Sequence, residues 1–234
     1  MSWTSARKEE RMNTINGEII SDRSYNLVLG GTVFYGLLMN VIICKVFGER
    51  VLDWILESSS NMIILLVGYF IFAIIGTVIA HKSANPGISF LGYNLVVVPV
   101  GLLVSVTVSG YLSAGMDQVV FQAIVITAIT TFVMLALSCA FPTFFQGLGK
   151  ILFCALIGLV VAELIALLIF RSSHDIFAWA GAAIFSLYIG YDYSKAQMYP
   201  KTLDNAVDCA VDLYLDIINL FLRILRILGS NSRD

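Results

Sequence analysis

Long apolar stretches alternate with short polar connections along most of the chain. Seven stretches reach about 20 residues, the length that an α-helix needs to cross a hydrocarbon core of about 30 Å. They run approximately over 25–47, 61–80, 90–112, 118–140, 149–170, 176–196 and 202–228. The pattern predicts seven transmembrane helices in one domain over 25–228, between an N-terminal cytoplasmic tail at 1–24 and a C-terminal tail at 229–234.

The last two stretches each carry an aspartate in apolar surroundings. Asp192 lies near the end of the sixth, in LYIGYDYSKAQ, and Asp216 lies midway along the seventh, in LYLDIINLFLRIL. A carboxylate at membrane depth costs a few kcal/mol, so such a side chain faces a bundle interior or water and is commonly functional. The alternative is a pair of carboxyls that are simply satisfied inside a helix bundle.

The polar residues of the seventh stretch fall on one face of a helix. At ~100° per residue, Arg223 and Asp212 lie within about 40° of Asp216. The members of this polar stripe are Asp204, Asp208, Asp212, Asp216, Asn219, Arg223 and Arg226. Such a face is unfavourable against lipid but lines a polar pathway when other helices enclose it. We therefore predict an all-α polytopic membrane protein whose C-terminal helix is central, enclosed by the other six.

Composition supports a membrane protein and excludes a nucleic-acid partner. Hydrophobic residues make up 59% of the chain and charged residues 13%, whereas a soluble domain has about 25% charged residues. The mean hydropathy is +0.88. The net charge of −2 comes without a dense basic cluster. The four cysteines fall in apolar stretches without a CxxC motif, and we interpret them as small buried hydrophobes.

The sequence carries no motif of a familiar enzyme class. GxxxxGK[ST], GxGxxG and HExxH are all missing, and His81 and His174 are too far apart to predict a zinc site. An intramembrane aspartyl protease would use two carboxyls that share a proton. Those proteases carry a YD and a GLGD element, of which this chain has only Tyr191-Asp192. We expect no enzymatic activity, no catalytic residue and no cofactor.

The segment Ser186–Leu228, with YIGYDYSKAQ followed by DLYLDIINLFLRILRIL, resembles the C-terminal signature of the transmembrane BAX inhibitor motif family. The spacing of 24 residues (216 − 192) matches the paired aspartates of that family. The resemblance implies a seven-helix protein that leaks calcium ions and is gated by pH through Asp192 and Asp216. Some members hold the closed pair with an arginine in the second span, whereas this span has only His81 and Lys82 at its end.

These inferences assign a role to each candidate residue. Asp192 and Asp216 are the expected proton sensor, gate and calcium ligands, because calcium prefers oxygen ligands. Asp212, Asp208 and Asn219 are expected along the ion pathway. Two carboxyls in contact share a proton and titrate as a unit, so leak should change through one transition between about pH 5 and pH 8.

The expected partners are calcium ions, protons and membrane lipids. Two alternatives stay open. One is a regulatory membrane protein that binds other membrane proteins, such as a protease or a cell-death component. The other is a proton-coupled secondary transporter.

Several charged residues outside the aspartate pair also need partners. Arg226 is predicted to form a latch with Glu57 at the outer mouth, with snorkelling to the interface as the alternative. Lys195 and Lys201 are expected at anionic headgroups, unless Lys195 instead acts on the charge of Asp192. Glu163 is either a functional carboxylate or a cap for a neighbouring helix.

The distribution of basic residues says little about topology. Seven full crossings place eight Lys and Arg inside and six outside, whereas a re-entrant last segment gives eleven and three. The positive-inside rule favours the second arrangement, but the length of the segment favours a full crossing, which we predict. Short loops favour a bacterial plasma membrane, with the endoplasmic reticulum as the alternative.

Overall fold

The computed structural model describes residues 18–83, 85–169 and 175–232, which form eight helices and no strand. The helices are α1 (Asp22–Glu57), α2 (Ser59–Lys82), α3 (Pro86–Ser113), α4 (Asp117–Ala140), α5 (Pro142–Gly147), α6 (Gly149–Leu168), α7 (Asp175–Ala196) and α8 (Leu203–Asn231). By length and composition, α1, α2, α3, α4 and α6 are able to cross a membrane. The predicted all-helical membrane protein is therefore confirmed.

Helices α7 and α8 are long enough to span a membrane but are not among the five candidate spans. They contain 22 and 29 residues, respectively. Acidic side chains such as Asp192 and Asp216 lower their hydropathy, and most of α8 is nevertheless buried. The count of seven spans stays a prediction.

The first helix is longer than the apolar pattern predicts. It begins at Asp22, where the Ser21 hydroxyl accepts the backbone N–H of Ser24 at 3.1 Å as an N-cap. It continues to Glu57, so most of the loop predicted between the stretches 25–47 and 61–80 is helical instead. The expectation of a loop was wrong because a drop in hydropathy marks the edge of the membrane and not the end of a helix.

Two other boundaries differ from the predicted ones. Helix α4 ends at Ala140 as predicted, but Pro142 begins the short helix α5, which the pattern did not predict, since proline fits the first turn of a helix. Helix α8 continues through Asn231, so residues 229–231 of the predicted tail are helical. Residues 1–17, most of the predicted N-terminal tail, lie outside the described residues, as does His174.

The first of two units, unit 1, comprises the described residues up to Ser113 together with Ala196–Tyr214. Within it α3 packs against both α1 and α2. The backbones of α2 and α3 touch at Gly92, where a Cβ atom would lie 2.6 Å from the backbone nitrogen of Ala80. This close approach brings the end of α2, with His81, beside the start of α3, with Ser89.

Unit 2 comprises residues 114–195 and 215 onwards. Its short helix α5 is fastened to α7 by two contacts. The ring of Phe145 is 3% exposed and fills the space where Gly190 has no side chain. The Ser194 hydroxyl donates to the carbonyl oxygen of Pro142 at 3.1 Å. These contacts flank Asp192 along α7 and fix the rotation of that helix.

Candidate functional site

The two predicted gate aspartates lie in the same unit. Asp192 comes from α7 with 11% of its side chain exposed, and Asp216 comes from α8 and is buried. Tyr188 lies one turn before Asp192, and its phenol is within electrostatic range of both carboxyls. Unit 2 therefore brings Asp192 and Asp216 into one neighbourhood, and their direct contact stays a prediction.

Lys195 pairs with the first of these aspartates. Its Nζ atom lies 3.3 Å from Oδ1 of Asp192, one helical turn away, and 5.4 Å from the centroid of the Tyr191 ring. The side chain of Lys195 is 28% exposed. This geometry favours the coupling of Lys195 to the charge of Asp192 over the headgroup contact that we expected.

Lys201 closes the end of α7 within unit 1. Its Nζ atom donates to the backbone oxygen of Gln197 at 2.9 Å and lies 4.4 Å from the centroid of the Tyr25 ring. Burial lowers the pKa of Lys201 because it disfavours the ammonium form, while Asp22 and Cys209 act in the opposite direction. The hydrogen bonds direct Lys201 to the end of α7, and the expected headgroup contact stays a prediction.

Unit 1 contains a histidine between two aspartates of α8. Nε2 of His81 lies 3.3 Å from Oδ1 of Asp212, and Nδ1 lies 3.9 Å from Oδ2 of Asp208. His81 and Asp208 are buried, at 6% and 1% exposure. A carboxylate only accepts hydrogen bonds, and an imidazolium donates from both nitrogens. Neutral His81 is able to donate from Nε2 to Asp212, and a protonated ring forms ion pairs with both carboxylates.

A third aspartate continues this row one turn earlier on α8. Oδ1 of Asp204 lies 2.7 Å from the hydroxyl of Ser89, which also lies 2.9 Å from the backbone oxygen of Ala80. A hydroxyl has one proton to donate. The hydroxyl donates to Asp204 at the shorter distance, so this buried carboxyl accepts a hydrogen bond from the start of α3.

Sequence reasoning missed the role of His81. We weighed it as a zinc ligand and as a cation at the end of a span, but not as a partner of the acidic stripe. The signal was present, because Asp204, Asp208 and Asp212 recur every fourth residue and need positive or donor groups when buried. His81-Lys82 supplies positive charge at the end of α2.

The remaining predicted pathway residue, Asn219, bonds within its own helix. Its side-chain amide donates to the backbone oxygen of Leu215 at 2.8 Å. A role along the pathway stays a prediction for Asn219. Among the described residues, no group of three or more His, Cys, Asp or Glu side chains is arranged to hold a metal ion.

Glu163 pairs with Arg223 inside unit 2. Nη1 of the guanidinium contacts Oε1 of Glu163, and Nη2 donates to Oε2 at 3.0 Å. This answers the question of what Glu163 bonds to, since its partner is a charged side chain of α8. Glu57 and Arg226 belong to different units, so the latch between them stays a prediction.

Comparison with known proteins shows which family the chain is similar to. The family model described as "Inhibitor of apoptosis-promoting Bax1" matches residues 20–233. An uncharacterized protein of Helicobacter pylori is 38% identical over 117 residues, 50% of each chain. An uncharacterized membrane protein of Streptococcus pyogenes is 36% identical over 133 residues, 54% of this chain and 58% of the relative. Bax inhibitor 1 of Saccharomyces cerevisiae is 44% identical over 61 residues, 25% of this chain and 20% of the relative.

The chain thus spans about half the length of the first curated relatives it matches. The family model, in contrast, covers all the described helices. The chain belongs to the Bax inhibitor-like family of integral membrane proteins, as its resemblance over Ser186–Leu228 predicted.

Proposed function

We propose that this protein is a pH-sensitive calcium leak channel gated by Asp192 and Asp216. The observation that carries the proposal is the position of Tyr188, whose phenol is within electrostatic range of both carboxyls in unit 2. Membership of the Bax inhibitor-like family adds support. The proposed fold has seven membrane crossings, with α8 enclosed by the other six.

The chemistry of gating follows from two neighbouring carboxyls in a medium of low dielectric constant. At low pH one proton shared between an oxygen of Asp192 and an oxygen of Asp216 holds α7 and α8 together. At higher pH two negative charges repel each other and attract calcium. A calcium ion takes 6–8 oxygen ligands. An ion bridging two carboxyls therefore keeps water as its other ligands and is able to leave again.

The acidic stripe supplies further oxygens for a permeating ion. We place Asp208, Asp212 and Asn219 along the proposed pathway. The pair of His81 with Asp212 brings an ionisable imidazole to this stripe. Ion leak makes and breaks no covalent bond, so we propose neither an enzymatic activity nor a cofactor. The bacterial relatives favour a bacterial plasma membrane as the location.

Calcium efflux from proteoliposomes tests the proposal. Wild-type protein should release calcium with one transition between about pH 5 and pH 8. Asp192→Asn and Asp216→Asn should each abolish or flatten this transition, while the similar volume of asparagine preserves the fold. Asp117→Asn is the matched control, because Asp117 is exposed at the start of α4 in the same unit. Efflux that ignores pH, or a transition that survives both substitutions, would contradict the proposal.

A second candidate is a regulatory membrane protein. The family description names the inhibition of an apoptosis-promoting protein, which suggests action on another protein. Such a regulator should move no ions in liposomes that contain it alone. A proton-coupled transporter would differ from both, since its flux should saturate and show counterflow.

A further inference from the structure

A charged pair lies inside unit 2, apart from the gate aspartates. Glu163 comes from α6 and Arg223 from α8, and both of their terminal groups meet. We propose that this pair, seated on Gly181 of α7, is a charge lock that limits cation leak by holding the second half of α8 against α6. This proposal rests on the proposed leak function.

The geometry of the pair is that of a specific contact. Each of the two terminal nitrogens of Arg223 faces a different oxygen of Glu163. This two-point contact, a fork, fixes the orientation of the two groups as well as attracting them. A lysine ammonium is unable to reproduce that orientation. Only 18% of the Arg223 side chain and 26% of the Glu163 side chain are exposed. The pair is thus largely removed from solvent and fixes the distance between α6 and α8.

Gly181 provides the seat for the guanidinium. A Cβ atom at this position would lie 2.7 Å from Nε and 2.9 Å from Cδ of Arg223, closer than atoms pack. Any side chain at position 181 would therefore push the guanidinium away from α7. Three helices meet at the pair, since α6 gives the carboxylate, α7 the seat and α8 the cation.

The position of Arg223 links the pair to the gate. Arg223 follows Asp216 by seven residues, which is about two helical turns or 10 Å along the axis. The two side chains lie within about 20° of each other around α8. A shift or rotation of α8 at Arg223 therefore also moves the face that carries Asp216.

A buried ion pair gives the lock two states, one with the pair intact and one with it broken. Removing one partner leaves the other as an uncompensated charge, which is strongly destabilising in a poorly solvated site. The helices are then expected to move until the remaining charge reaches water. An intact pair holds α8 in place, and a broken pair releases it.

Three substitutions test the lock by calcium efflux from proteoliposomes, at a pH where wild-type leak is low. Glu163→Gln and Arg223→Gln each remove one charge, and Gly181→Ala displaces the guanidinium without changing any charge. The lock predicts a several-fold rise in efflux for all three. Gly158→Ala is the matched control on α6, because a Cβ atom there meets nothing within 4 Å.

An electrostatic barrier and a purely stabilising ion pair would each give a different result. If the charges acted only as a barrier to cations, Glu163→Gln and Arg223→Gln would change efflux in opposite directions and Gly181→Ala would have no effect. If the pair only stabilised the fold, Tm would fall and efflux would stay at the wild-type level. Either result would overturn the lock. Should Arg223→Gln fail to fold, Arg223→Lys keeps the charge but loses the fork, and the lock predicts a smaller rise.

A distance measurement separates this proposal from the leak function itself. Spin labels at Cys154 of α6 and at Ser232→Cys beyond α8 report the spacing of the two helices, with the other cysteines replaced by serine. Gly181→Ala and Glu163→Gln should lengthen or broaden the distance distribution, and Gly158→Ala should not. An unchanged distribution would overturn the lock. If wild-type protein does not leak calcium but the variants still change the distance between the spin labels, the leak function is wrong. The charged pair then remains a conformational element.

Discussion

Nε2 of His81 lies 3.3 Å from Oδ1 of Asp212, so a titratable side chain at the end of α2 contacts the acidic stripe of α8. The family resemblance led us to look for an arginine in the second span, and the chain has none there. An arginine stays charged at every relevant pH, whereas histidine changes charge near neutrality. Unit 1 thus holds a pH-dependent contact of its own, separate from the aspartates of unit 2.

Replacing His81 by glutamine should weaken unit 1 at acidic pH and leave it little changed at alkaline pH. A hydrogen bond to a charged group contributes about 1.5–3 kcal/mol, and protonation of the ring adds an ion pair that the neutral ring lacks. We expect a lower Tm in detergent at about pH 6 than for wild type, with a smaller difference at about pH 8. Lys82→Gln is the matched control, since Lys82 is the exposed neighbour at the same helix end. Equal losses at both pH values would show that the charge on His81 does not stabilise unit 1.

Lys195→Gln should move the pH midpoint of calcium leak upward, because ionised Asp192 loses a positive charge 3.3 Å away. Efflux measured across pH in proteoliposomes gives the midpoint. Lys150→Gln removes an exposed positive charge elsewhere in unit 2 and should leave it in place. If Lys195→Gln leaves the midpoint unshifted, the interpretation that Lys195 contacts lipid headgroups is favoured instead.

Gly190→Ala should destabilise unit 2 by about 1–3 kcal/mol through overpacking, because the new Cβ atom would lie 2.3 Å from the Phe145 ring. Thermal unfolding in detergent measures the loss. Phe145→Leu in the same chain should recover part of it, so the double variant should lose less than the two single variants together. Gly147→Ala is the control on α5, since a Cβ atom there meets nothing within 4 Å. Strict additivity would show that Phe145 is not what limits the side chain at position 190.

Lys201 should make the stability of unit 1 depend on pH in the alkaline range. Burial lowers its pKa below the ordinary 10.5, so just below that value the unfolded chain binds more protons than the folded chain. Stability from this group therefore rises with pH there, and it is constant at lower pH, where both states are protonated.

The comparison of wild type with Lys201→Met isolates that contribution. The Tm of wild type minus the Tm of the variant should increase between about pH 8 and pH 10.5. A flat or falling difference would show that the ammonium of Lys201 is not disfavoured by its surroundings.

Much of the fold was accessible from the sequence because lipid imposes a simple rule on length and hydropathy. Apart from the end of α1 and the short α5, long apolar runs predicted the helices to within a few residues, and Asp192 and Asp216 were conspicuous as charges among apolar neighbours. The end of α1 was missed, because backbone hydrogen bonds continue past the apolar run to Glu57, where Ser58 caps the next helix.

Partners between helices were less accessible, because hydropathy does not show how each helix is rotated or shifted against its neighbours. Glu163 and Arg223 are 60 residues apart in sequence, and no spacing rule joins them. The sequence drew attention to Arg226, which lies on the same polar stripe as Arg223. Less than one helical turn separates these arginines, so the choice between them depends on the register of α8, which only coordinates give.

Unit 1 joins α1 to residues that lie far away in the sequence, and this has a consequence for biosynthesis. The Tyr25 hydroxyl donates to the backbone oxygen of Ala196 at 3.0 Å, and the Asn40 amide donates to the hydroxyl of Tyr214 at 2.9 Å. The 170 residues between Tyr25 and Ala196 must be made first, which takes roughly 9–34 s at ~5–20 residues per second. For that interval α1 waits in the membrane with polar groups whose final partners do not yet exist. The polar side chains that later stabilise unit 1 are therefore unpaired in the nascent chain. Membrane insertases and quality-control proteases are able to recognise them during that time.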